Sequence, residues 1–92
     1  MITLDDIEDM TDLSREEIAA LAEHEHLGDY DATILGEYLL HIHHGPQTVQ
    51  RMISEDIRES LHKGDLAHAR TLFDTLRHFI ETHPEAVRGA DP

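Results

Sequence analysis

Three short breaks constrain what this chain can fold into: Gly28-Asp29, Gly45-Pro46 and Gly64-Asp65. Glycine is favoured just past a helix C-terminus, Asp at an N-cap, and Pro at the first helical position. Each pair therefore stops one helix and starts the next with almost no chain between. Connections this short make consecutive helices antiparallel neighbours. The expected fold is all-α, with four main helices as two antiparallel helical hairpins and a short N-terminal helix before them.

The first main helix carries a capping box, Ser14 with Glu17, and a hydrophobic staple, Leu13 with Ile18. It should run over 15–26 and stop at Gly28 in the left-handed conformation. At about 100° per residue, Ile18, Leu21 and Ala22 share its core face. Glu25 falls in the middle of that face and His26 near its edge, while Glu23 and His24 point to solvent. Asp29 should cap a second helix over 30–43, with Ile34, Leu35, Tyr38, Leu39 and Ile42 inward. Glu37, His41 and His44 line one margin of it, and Gly36 permits close approach of a neighbour. A third helix runs from Pro46 to His62, with Val49, Met52, Ile53, Ile57 and Ser60 aligned and Asp56 inside the stripe. Asp65 caps a fourth over 66–83, whose core face is Ala69, Leu72, Phe73, Leu76, Phe79 and Ile80. Pro84 ends it, because the residue before a proline avoids the helical conformation. Residues 1–92 make a single domain: an arm over 1–13 with a capped turn at 3–10, a helical core over 14–83, and a flexible tail over 84–92.

One pattern recurs. Glu23-x-x-His26-x-Gly28-Asp29 is echoed by Glu59-x-x-His62-x-Gly64-Asp65. Gly64-Asp65, then Ala69, then Phe73, is similar to the second helix of a tetratricopeptide repeat, and Gly28-Asp29-Tyr30 looks like the same turn. The resemblance implies stacked helical hairpins. It covers only the turns and the last helix; the preceding helices lack the family's Trp, Leu-Gly and Tyr pattern. The shared feature is read as helical-hairpin chemistry rather than membership.

Charge excludes several functions. The 92 residues carry 20 acidic against 7 basic side chains, a formal net charge of −13. Nucleic-acid phosphate and anionic membranes both require a cationic footprint, so neither is expected as a partner. A basic protein partner is compatible. There is no cysteine, which removes disulfides, thiolate metal sites and cysteine nucleophiles. The N-terminus lacks a charged-then-apolar leader pattern, and a cytoplasmic location is the expectation. Four aromatic residues without Trp leave Ala, Leu and Ile to fill a small core. Small chains of this kind commonly gain core by self-association, so a homodimer is expected.

The nine histidines raise two further readings. The two Glu-x-x-His pairs have the spacing of a ferritin-like di-metal site, but they lie off the apolar faces. A constellation nearer the core is Glu25, His26, Glu37, His41 and His44. Imidazole and carboxylate at these spacings suit a divalent transition metal such as Zn, Ni or Fe, completed across a dimer. Because His titrates near pH ~6.5, an assembly responsive to mild acid is a third reading. No strained nucleophile turn or phosphate loop is present, and catalysis is not expected. The leading expectation is a small acidic non-catalytic interaction protein, without a cofactor, that binds itself or a basic partner. A His/Glu metal-binding protein is the alternative.

Overall fold

The computed structural model describes residues 11–88, so the turn expected over 3–10 lies outside them. Among the described residues five helices follow one another and no strand occurs: α1 (Arg15–Glu25), α2 (Asp29–His41), α3 (Gly45–His62), α4 (Leu66–Thr82) and α5 (Glu85–Arg88). The four main helices keep their expected boundaries to within one or two residues. α1 packs on α2 and α3 on α4, giving the two hairpins, and α3 touches every other helix. None of these helices is long and apolar enough to cross a membrane.

The capping box forms as expected. Ser14 Oγ accepts the Glu17 N–H at 3.1 Å, and the Glu17 carboxylate accepts the Ser14 N–H at 2.9 Å. The glutamate of the box lies inside the protein rather than in solvent. Glu17 is only 1% exposed and Leu13 is equally buried. The buried face of α1 is therefore Glu17, Ile18, Ala20 and Leu21. It is turned by a little less than one residue step from the expected Ile18–Leu21–Ala22 face. Glu25, expected to aim at the core, is exposed, and His24, expected in solvent, is half-buried.

α2 departs further from its pattern. Its buried residues are Ala32, Thr33, Gly36 and Leu39. A Cβ at Gly36 would overlap Leu13 Cδ1 and crowd Leu21 Cδ1, so the close approach expected at this glycine is present. Leu13 and α1 sit on the small-residue side of α2. Ile34 and Tyr38, expected in the core, are turned outward.

The two hairpin corners use one stop in different ways. At Gly64 the chain is left-handed, with φ 79°. The Asp65 N–H donates to Ser60 O at 2.9 Å and the Gly64 N–H to Leu61 O at 3.0 Å, a Schellman motif. At the first corner His26 takes the left-handed position, with φ 56°, and the Leu27 N–H donates to Ala22 O at 3.0 Å. Gly28 is an extended N-cap instead of the left-handed stop, and Asp29 is the first residue of α2 rather than its cap. Asp65 does cap α4, accepting the His68 N–H at 3.2 Å. The sequence echo is thus not a structural one: the equivalent of Gly64 is His26.

α3 and α4 meet through Val49, Met52, Ile53, Leu72 and Phe79, close to expectation, but Phe73 is turned out. Residues 85–88 fall in the expected tail, yet they form the turn of helix α5. Ala86 is buried and α5 packs on α3. The Gln47 side-chain amide donates to Glu85 O, closing this contact.

Two sets of variants test these contacts by urea denaturation. Ser14→Ala and Glu17→Ala should each lower stability by about 1 kcal/mol. Glu17→Ala should cost more, because it also empties a buried site. The double variant should cost less than the sum, since both remove one box. Gly36→Ala should destabilise despite a helix-propensity gain of about 1 kcal/mol, because its methyl displaces Leu13.

Candidate interaction surfaces and the histidine corner

The last turn of α1 meets α3 and α4 through ion pairs. His24 Nδ1 lies 2.8 Å from Glu25 Oε2, and Nε2 lies 2.9 Å from Glu55 Oε1 on α3. A neutral imidazole donates from only one nitrogen, so two carboxylate acceptors suit the doubly protonated ring. One residue earlier, Glu23 Oε1 meets His68 Nε2 of α4 at 2.7 Å. α1 is thus clasped to both α3 and α4 by histidine–carboxylate pairs. A cavity of about 330 Å³ opens beside the clasp, with Asp56, Glu59 and His26 among its lining residues.

The titration of this corner follows from its geometry. Burial opposes charge on His24, but the hydrogen bonds to Glu55 and Glu25 and the nearby Asp56 outweigh it, and its pKa is raised. The Glu55 carboxyl is lowered, chiefly by its bond to His24. Asp56 is raised, first by burial and then by Glu23, Glu59 and Glu55, while His24 opposes the shift. Its Oδ2 atom is buried and has no hydrogen-bond partner.

The residues proposed as metal ligands are not gathered into one group among the described residues. Glu25 is engaged with His24. His26 is the exposed left-handed stop of α1. Glu37 accepts from Thr11 Oγ1 and from the Asp12 N–H, so it anchors these two residues to α2. His41 Nδ1 lies 2.7 Å from Glu37 O, within α2. His44 is left-handed, with φ 62°, and its ring lies against that of His43. Of the Glu-x-x-His pairs, Glu23 is taken by His68 and Glu59 by Lys63. Among the described residues no group of three or more His, Asp or Glu side chains is arranged to hold a metal ion.

Ile34 and Tyr38, which sequence periodicity placed inside, are part of an apolar surface outside. On α2, Tyr30, Ile34 and Tyr38 are 46%, 53% and 62% exposed. Their four-residue spacing stacks them into one stripe. A second apolar surface lies where α3 meets α4. Leu61, Leu66 and Phe73 are all more than half exposed and border a groove of about 350 Å³ floored by Ile57 and Ala69. Neither surface was legible beforehand. The signal that could have found the first was the run of small residues Ala32, Thr33 and Gly36, which offers α1 a closer approach than Ile34 and Tyr38 do.

Compared with protein-family models, with characterised proteins and with solved structures, the chain matches none.

The clasp predicts how stability varies with pH. A raised His24 pKa means its contribution is complete below the ordinary value of 6.5 and is lost as pH rises through the folded-state value. Raised Asp56 acts in the same direction. Lowered Glu55 contributes above its ordinary 4.5, and that contribution is lost as pH falls. Thermal stability should therefore peak between about pH 5 and 6 and decline toward pH 8. His24→Gln should flatten the alkaline limb. Separately, His26→Gly should raise stability by up to about 1 kcal/mol, because it removes a left-handed side chain.

Proposed function

We infer that this chain is a small acidic interaction protein, non-catalytic and without a cofactor, that works by presenting the outer face of α2. The observation that carries this reading is the Tyr30–Ile34–Tyr38 stripe. Soluble chains scatter single apolar residues over their surface, whereas a contiguous stripe marks a contact site. Tyr is well suited to such a site, since it supplies a rigid apolar ring and a polar tip. α2 carries Asp29, Asp31 and Glu37 and no Lys or Arg. That favours an occupant with a basic rim, either a second copy of the chain or a basic protein. The expected setting is the cytoplasm, where a chain without cysteines loses nothing from a reducing environment.

Sedimentation velocity over a wide concentration range tests the reading. The wild-type chain should associate, and Ile34→Asp should weaken that association at least tenfold while leaving the melting temperature nearly unchanged, because Ile34 is outside the core. A wild-type chain that stays monomeric and binds no basic protein through α2 would overturn it.

A further inference from the structure

The two exposed apolar surfaces differ in the charge around them. On α2 the stripe is flanked by Asp31 on one side and by Glu37, next to Asp12, on the other. On α4 the positions reverse in sign. At about 100° per residue, Arg70 and Arg77 fall in the same stripe as Leu66 and Phe73, while Asp74 and Glu81 fall further round. Arg58 stands beside Ile57 on α3. Arg58, Arg70 and Arg77 are exposed, and none forms an ion pair among the described residues. Arg70 therefore lines the apolar groove, with Arg77 about one helical turn further along the same stripe, on a molecule of net charge −13. The acid-rimmed stripe and the base-rimmed groove are on α2 and on α3–α4, and α2 and α4 are not packing partners. One molecule cannot close the two surfaces on each other.

We propose that the chain self-associates head to tail, the Tyr30–Ile34–Tyr38 stripe of one copy seating in the Leu61–Leu66–Phe73 groove of the next. This rests on the α2 contact reading above and names its counterpart. Apolar faces of similar character meet, and Asp31 and Glu37 approach Arg70 and Arg77. An α2-to-α2 dimer would oppose acid to acid, and a groove-to-groove dimer base to base; like charges juxtaposed across an interface disfavour both. A contact between two different surfaces is heterologous, and it propagates into a ring or an open chain rather than stopping at a dimer.

Charge exchange between two full-length variants tests the arrangement. R70E/R77E has acid on both surfaces, and D12K/D31K has base on both. Each alone should sediment as a monomer at concentrations where the wild type associates. Their mixture should regain association, because each supplies the surface the other lacks. R51E/K63E has the same net charge as R70E/R77E, with its changes outside the groove lining, and should associate like the wild type. Circular dichroism of each variant checks that it folds. Wild-type association that survives R70E/R77E, or a mixture that stays monomeric, would overturn the head-to-tail contact. In that event loss of association in Ile34→Asp would still uphold the α2 reading. A wild type that is monomeric throughout would overturn self-association altogether.

Discussion

The close approach of Leu13 and Leu21 to Gly36 sets the geometry of the first hairpin. A helix pair can come this near only where one member lacks a side chain. Once α1 and Leu13 lie over Gly36, Ala32 and Thr33 are buried beside it, and the large residues of α2 have no interior to enter. Tyr30, Ile34 and Tyr38 then face solvent by geometry, not by polarity. The apolar surface on which the proposed function rests is thus a consequence of one glycine.

Two polar devices hold this packing in place. At the start of α1 the capping box is buried with Leu13, and it fixes the rotation of the helix. At its end, His24 and His68 clasp α1 to α3 and α4 through Glu55 and Glu23. Neither ion pair contributes much alone, since pairs at or near the surface are typically worth under about 1 kcal/mol. Their effect is positional: they keep the last turn of α1 over α3. Through His24 the clasp also ties the fold to mild changes of pH.

Helix positions were the most readable part of this chain. Caps and stops are local chemistry, so Ser14, Pro46, Gly64, Asp65 and Pro84 placed the main boundaries correctly. Facing was readable where amphipathic contrast is strong, as on α3, where Val49, Met52, Ile53 and Ser60 are buried together. It failed on α2, where small and large apolar residues compete for the interior. It failed on α1 for a different reason: Glu17 was read only as a cap partner, yet its side chain is buried in the core face. That rotation moved Glu25 outward and His24 inward. Glu25, one of the candidate ligands, thereby exchanged roles with His24. The repeat misled in the same manner, since Gly28 and Gly64 share a motif but only Gly64 is left-handed.

Residue types and their spacing were enough to establish an all-helical chain in two hairpins, because hydrogen bonding within a helix and the conformations of Gly, Pro and Asp at its ends depend only on near neighbours. They also established an acidic, cysteine-free molecule. Which faces meet was settled by long-range packing: by how near two backbones can come at Gly36, and by what remains to cover Tyr38 and Phe73 once they have. That competition is between residues far apart in the chain, and no local pattern records its outcome.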